Sequence, residues 1–191
     1  MSASIADLRE EMSRRGALLD GHFKLSSGRH SDRFVQKFRV LEDPALVEIV
    51  ARELASLLRP YEPTIVVSAA VGGIVLGYEV ARQLGTKAIF VEKEQGVPTL
   101  RRGFYLGADD RAAVVEDVIT TGKSVHEVVD VVRAQGASVA AAGIIVRREP
   151  VELGVPTVAL LDIPVASYEP SACPLCARGL PLEEPGSRFL R

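Results

Sequence analysis

Two adjacent carboxylates, Glu116 and Asp117, precede a run of hydroxyls around one glycine and one cation: Thr120, Thr121, Gly122, Lys123 and Ser124. When ionised, the carboxylates are acceptors, suited to ribose hydroxyls or to the shell of a Mg²⁺ ion. The hydroxyls are donors, Lys123 adds positive charge, and Gly122 lets the backbone approach a ligand closely. If a helix begins here, its unpaired amides carry partial positive charge and suit a phosphate. Acceptors for a sugar beside donors for a phosphate point to a sugar phosphate.

The flanking residues supply the elements that would position this chemistry. Ala112 to Val115 is a short apolar, β-branched run that reads as a buried strand, and Val125, Val128, Val129 and Val132 recur at helical spacing. The polar turn then lies at the carboxyl end of the strand, where open α/β sheets bind ligands. A Walker A loop needs Gly five positions before the Gly of Gly-Lys-Ser. Asp117 stands there, which excludes that phosphate motif. The whole segment resembles the phosphoribosyl pyrophosphate (PRPP) motif of the type I phosphoribosyltransferases. The resemblance implies PRPP contacts from Glu116, Asp117, Val118, Ile119, Thr120, Thr121, Gly122, Lys123 and Ser124.

A second unit of the same kind precedes it. Thr64 to Ser68 reads as a buried strand, Ala69-Ala70-Val71-Gly72-Gly73 as a small-residue turn, and Ile74 to Leu84 as a helix. Small residues admit a polyanion to the backbone amides. In the family this position resembles the pyrophosphate loop, with Val71 and Gly72 at the contact. Ala88 to Val91 is a third short strand. After it, Gly96, Pro98 and Gly103 argue against a stable helix. The polar stretch from Glu92 to Phe104 is expected to be a lid, with an exposed β-hairpin as the alternative. Its cations Lys93, Arg101 and Arg102 suit a polyanionic substrate. By resemblance this is the mobile catalytic loop, shared across subunits of a homodimer, with Lys93 and Asp117 as catalytic groups. Glu92 stands where many members carry Arg, and the family's later loop Lys and His have no match; Arg101 or Arg102 is the candidate substitute.

Near the amino terminus, Ile5 to Arg15 has helix-forming composition and Gly16 is its stop. Phe23-Lys24-Leu25 opens a hairpin with Ser26-Ser27-Gly28 at the turn, and a flat anionic ring could stack on Phe34. Phe23-x-Leu25-Ser26-Ser27-Gly28-Arg29-x-Ser31 is similar to the N-terminal signature of the orotate phosphoribosyltransferases, which implies that Phe34, Val35 and Thr120 border an orotate pocket. Ser26 occupies the position where many members place a Lys that reaches the pyrophosphate. Asp43-Pro44 marks another helix start. Ser138 to Val146 reads as a strand with Arg147 and Arg148 at its end, suited to clamping a carboxylate at two points. The family's orotate-binding Arg aligns best with Arg148, and Arg147 falls where an Asp is common. Pro156 to Leu161 is the last expected core strand. The tail, Tyr168-x-Pro170 through Cys173-Pro174-Leu175-Cys176 to Pro185-Gly186-Ser187-Arg188, resembles the ending of one branch of orotate enzymes.

At 191 residues the chain is long enough for one domain with a sizeable core, and 47% hydrophobic with 25% charged residues is an ordinary globular balance. A net charge of −2 excludes a broad basic footprint for nucleic acid. No apolar run approaches the roughly 20 residues that cross a bilayer, and the amino terminus is no signal peptide, so a cytoplasmic protein is expected. Cys173 and Cys176 are the two cysteines, and His22, His30 and His126 the three histidines, none near that pair in sequence. Three readings of Cys173-x-x-Cys176 stay open: a reduced pair, a zinc site completed by a second subunit, and a redox pair.

The expectation is an α/β chain with the type I phosphoribosyltransferase fold: a twisted, mainly parallel sheet flanked by helices. It would form a single domain over residues 1–191, with a hood from about residues 1–40 and the tail as a further candidate part. The resemblance implies that orotate and PRPP are the substrates in pyrimidine biosynthesis. Mg²⁺ would be the cofactor, held mainly through PRPP with no direct protein ligand. Neither nucleic acid nor membrane is an expected partner. A purine-type transferase, a PRPP-sensing regulator and a plain structural module are the rival readings, separable by base specificity, nucleic-acid binding and PRPP binding.

Overall fold

The computed structural model describes residues 5–25 and 27–185. Ser26 of the expected hairpin turn, and Gly186, Ser187 and Arg188 of the tail motif, lie outside the described residues. In chain order the elements are α1 (Ile5–Arg14), β1 (Leu18–Lys24), β2 (His30–Val35), α2 (Phe38–Leu41), α3 (Pro44–Leu58), β3 (Ile65–Ala69) and α4 (Gly72–Leu84). They continue with β4 (Lys87–Glu94), β5 (Val97–Leu100), β6 (Arg111–Ile119), α5 (Lys123–Ala134), β7 (Ser138–Arg147), β8 (Thr157–Asp162), β9 (Ser167–Tyr168) and α6 (Pro174–Ala177). The chain divides into two compact units, Met1–Val40 with Pro164–Arg191, and Leu41–Ile163.

The larger unit is a six-stranded sheet in the order β5-β4-β3-β6-β7-β8. Every neighbouring pair is parallel except β4 with β5. Its central strands are apolar on both faces because helices cover both, as parallel sheets require. Leu46, Val50, Leu54 and Leu58 give α3 its buried stripe. Asp43 caps that helix, its Oδ1 accepting from the amides of Ala45 at 2.9 Å and Leu46 at 3.2 Å. On α5 the buried positions are Val125, Val128, Val129 and Val132, which join Val67, Val114 and Ile144 in one core cluster. On α4, Gly73 and Gly77 lie so close to β3 that an added Cβ would meet the Ser68 side chain at 3.0 and 2.9 Å.

The smaller unit is a three-stranded antiparallel sheet in the order β1-β2-β9. The tail returns along the other edge of β1: the Lys24 amide donates to the Glu183 carbonyl, and the Glu183 amide to the His22 carbonyl, each at 2.8 Å. Arg29 ties β2 to the tail, donating to the Ser167 hydroxyl at 3.0 Å and carbonyl at 2.7 Å and pairing with Glu169. The segment expected to form a hood and the carboxyl-terminal tail are therefore one folded body.

The stretch after the third core strand differs from the expected lid. It is the alternative, a β-hairpin, and Lys93 lies on strand β4 opposite Pro98 rather than in a loop. Gln95 and Gly96 both adopt positive φ, at 50° and 87°. Two such residues in succession make the tight turn whose twist suits a hairpin. Pro98 is tolerated because β5 is the edge of the sheet, where a missing amide breaks no ladder.

Candidate functional site

The larger unit has a topological switch point. From β3 the chain passes through α4 to β4 on one side, whereas β6 pairs with β3 on the other. A crevice opens at the carboxyl ends of two such strands. The two turns the sequence singled out both lie there, Ala70–Gly72 after β3 and Thr120–Gly122 after β6.

After β6, Gly122 caps α5 with φ of 78°, the left-handed region. A Cβ at this position would approach Val151 Cγ1 to 2.7 Å and Leu153 Cδ2 to 2.9 Å. Glycine is thus required twice, by its dihedral and by its neighbours. Thr121 and Lys123 are exposed, Thr120 and Ser124 half-buried. Val118 is half-buried and Ile119 buried at the end of β6. After β3, Val71 is 79% exposed at the cap of α4, beside Gly72.

Glu116 and Asp117 lie within β6 and are buried. Glu116 Oε1 accepts from the Asp117 amide at 3.1 Å, and Asp117 Oδ1 from the Val118 amide at 2.7 Å. Strand alternation sends adjacent side chains to opposite faces. A ribose that reaches both must therefore sit over the end of the strand rather than over one face. Hard carboxylate oxygens close to a phosphate cradle are a donor set that fits Mg²⁺.

The two arginines at the end of β7 have different environments. Arg147 is held by Asp162 in a two-point pair, Nε to Oδ1 at 2.6 Å and an Nη to Oδ2 at 3.0 Å. That pair raises the Arg147 guanidinium above its usual range and lowers the Asp162 carboxyl. The Arg148 amide donates to the Ile119 carbonyl at 3.0 Å, which sets it beside Thr120. Its Nε is buried with no hydrogen-bond partner among the described residues. Burial pulls the Arg148 guanidinium below its usual range, and the adjacent Glu149 charge opposes that. A half-buried guanidinium with an unused donor is ready for a carboxylate.

The hairpin cations are all engaged. Lys93 pairs with Glu127 of α5 at 2.9 Å, Arg102 with Glu92 at 2.9 Å, and Arg101 with Glu94 at 3.4 Å. Arg102 lowers the Glu92 carboxyl through this bond. Across four adjacent strands, the carboxyl edge thus carries Lys93, Val71–Gly72, the segment from Glu116 to Ser124, and Arg148. A surface cavity of about 630 Å³ elsewhere in this unit is lined by Ile65, Tyr78, Lys87 and Tyr105, at the amino ends of β3 and β4.

Residues 39–153 match the phosphoribosyl transferase domain family. An orotate phosphoribosyltransferase of Thermotoga petrophila is 48% identical over 186 residues, covering 96% of this chain and 100% of that protein. One of Pelotomaculum thermopropionicum is 51% identical over 175 residues, covering 91% of this chain and 92% of that protein. The crystal structure of orotate phosphoribosyltransferase from Aeropyrum pernix superposes with a TM-score of 0.68 at 28% identity, covering 80% of this chain and 92% of that one. The chain belongs to the orotate phosphoribosyltransferases.

Membership accounts for the fold expected from the sequence, a mainly parallel α/β sheet with helices on both faces. Of the residues aligned with the family's orotate contacts, Thr120 and Arg148 are in the larger unit. Phe34 and Val35 are half-buried on β2 of the smaller one, where the Phe34 ring packs on Phe23 with centroids 5.8 Å apart. Sequence reasoning missed Glu127 and Asp162. The spacing of charges along α5 and at the end of β8 does not announce which cation each carboxylate meets.

Proposed function

We propose that the chain transfers the ribose 5-phosphate group of PRPP to orotate, giving orotidine 5′-monophosphate and diphosphate for pyrimidine nucleotide synthesis. The observation that carries this reading is the row of groups along one sheet edge. Four neighbouring strands span roughly 14 Å at about 4.8 Å spacing. That length accommodates a pentose with phosphoryl groups at both ends and a ring beside it. The 5′-phosphate takes the amides and hydroxyls from Thr120 to Ser124, and Glu116 and Asp117 hold ribose hydroxyls. Val71 and Gly72 offer amides to the diphosphate, with Lys93 as the nearby cation. Arg148 takes the orotate carboxylate.

A ring nitrogen of orotate, its proton released to solvent, forms the new bond to C1 of the ribose as the C1–oxygen bond breaks, and the diphosphate departs with the electron pair. Positive charge develops on the sugar while negative charge develops on the leaving group. Fixed donors and cations at the leaving group, together with exclusion of water, lower the barrier more than a single general base would. Lys93 must exchange Glu127 for the diphosphate, which makes it the residue most engaged by substrate. Mg²⁺, held mainly through PRPP, would supply further neutralisation of that charge, with Glu116 and Asp117 as the carboxylates on the protein side.

The proposal includes a homodimer, for which the exposed Val75, Tyr78 and Tyr105 offer apolar surface, and cytoplasmic residence, which suits the free thiols of Cys173 and Cys176. No helix among the described residues is long and apolar enough to cross a membrane. The deciding experiment follows orotate consumption spectrophotometrically with PRPP and Mg²⁺, with adenine and hypoxanthine as competing bases, and repeats it with Asp117→Asn and Lys93→Ala. Orotate should be consumed, and both variants should lose turnover while unfolding near the parent temperature. Turnover of a purine base in preference to orotate would reject the assignment.

A further inference from the structure

Four potential metal ligands converge in the smaller unit. We propose that His22, His30, Cys173 and Cys176 hold a structural zinc ion that fastens the carboxyl-terminal tail to the β1–β2 hairpin. The ligand atoms all lie within 4.8 Å of one another. Cys173 Sγ and Cys176 Sγ are each 3.6 Å from His22 Nε2, Cys176 Sγ is 3.2 Å from His30 Nδ1, and the two ring nitrogens are 3.0 Å apart. In a tetrahedral site with zinc–ligand bonds of about 2.0–2.3 Å, neighbouring ligands are about 3.3–3.8 Å apart. Both sulfur–His22 distances fall in that range, the other two are 0.1–0.3 Å shorter, and the four atoms are grouped closely enough for one ion to reach them all.

The hydrogen bonding around His22 supports the same reading. Its Nδ1 is 2.9 Å from the Leu180 carbonyl, which can only accept, so Nδ1 carries the proton. In the neutral ring Nε2 is then a bare lone pair aimed at the cluster, the arrangement a second-shell carbonyl gives to a zinc-bound histidine. Two thiols and a second imidazole nitrogen all converge on that one lone pair. One cation between them would employ all four groups, and two thiolates would cancel its charge in a site whose members, except Cys176, are buried. Two sulfurs and two imidazole nitrogens in tetrahedral array select zinc among common divalent ions.

The placement gives the ion a task. His22 and His30 come from adjacent antiparallel strands, and the cysteines flank the start of α6, more than 140 positions away. This unit is assembled from the two ends of the chain and has a small apolar core. Small units of this kind commonly depend on a metal or disulfides. The expectation that any zinc would need a second subunit is replaced by a complete ligand set within one chain.

The test is metal analysis of the full-length protein purified without a metal-affinity column and desalted. One zinc per chain is expected, falling to less than about a tenth in Cys176→Ser and in His22→Gln, while His126→Gln retains it. As an independent measure, Co²⁺ added to the reduced, zinc-stripped chain should produce the visible bands of tetrahedral cobalt and a near-ultraviolet thiolate charge-transfer band. Zinc removal should lower the unfolding temperature of the parent but not of Cys176→Ser. Absence of zinc together with absence of the cobalt spectrum would overturn the proposal. So would a mass two hydrogen atoms lighter, marking a Cys173–Cys176 disulfide in the protein as isolated, or zinc content unchanged in both variants.

Discussion

Arg147 and Arg148 are adjacent, identical in type and both at the end of β7, yet their surroundings predict opposite consequences on truncation. Arg148 is already desolvated in the free protein, with its Nε unused among the described residues. A carboxylate arriving there forms charge-assisted hydrogen bonds whose desolvation cost on the protein side has been met during folding. Each such bond contributes about 1.5–3 kcal/mol. Arg148→Ala should therefore raise the KM for orotate roughly 10- to 150-fold, at about 1.4 kcal/mol for each factor of ten. It should leave the unfolding temperature unchanged or slightly higher, because a desolvated charge is removed. Arg147→Ala breaks an ion pair whose side chains are 30% and 62% exposed. Such a pair contributes about 0–1 kcal/mol to stability. It should leave orotate KM near the parent value. Arg148→Lys, which keeps the charge and loses the planar fork, should fall between parent and alanine. The measurement is initial rate against orotate concentration at saturating PRPP and Mg²⁺, with thermal unfolding of each variant alongside. The reasoning fails if Arg147→Ala raises orotate KM as much as Arg148→Ala, or if Arg148→Ala weakens PRPP and leaves orotate untouched.

Gly122→Ala should destabilise the fold by about 2–4 kcal/mol, from the left-handed backbone and the overlap with Val151 and Leu153. For a chain of this size that lowers the unfolding temperature by roughly 4–16 °C, and an unchanged melt would contradict the packing described. Glu127→Gln releases Lys93 from its resting partner; since an exposed pair is worth about 0–1 kcal/mol, PRPP KM should fall by no more than about fivefold, and a rise would argue that Glu127 orients Lys93 productively. Asp162→Asn should cost up to about 1 kcal/mol at neutral pH. Arg147 lowers the folded-state value of the Asp162 carboxyl, so its contribution is present above the unfolded value, about 3.9, and is lost as pH falls through the lower folded value. The stability gap between parent and variant should close below about pH 4 and not above it. A gap that persisted at lower pH would show that the pair is not its source.

The parts of the site that were legible in the sequence are those whose meaning is local. A strand, a turn and a helix announce themselves through periodicity over a dozen residues, and Gly122 is informative because its own dihedral demands it. The β4–β5 hairpin is a related case. Gly96 and Pro98 argue against a helix, and the polar stretch suits a lid or a hairpin, but Gln95-Gly96 is the turn a two-residue hairpin needs, and a proline is harmless on an edge strand. Whether a strand is an edge depends on the order of the sheet, which no local window contains. The same limit governs charges: the choice between Arg147 and Arg148 is made by Asp162, fifteen positions on, and Lys93 is held by Glu127, thirty-four positions on. It is most severe for Cys173 and Cys176, whose partners His22 and His30 stand at the other end of the chain. A lone C-x-x-C and two scattered histidines carry no common signal until antiparallel pairing of β1 with β2, and return of the tail beside them, make them neighbours. Side chains that act on a ligand near their own turn can thus be read in sequence, whereas those that act through a partner become legible only once topology has chosen the partner.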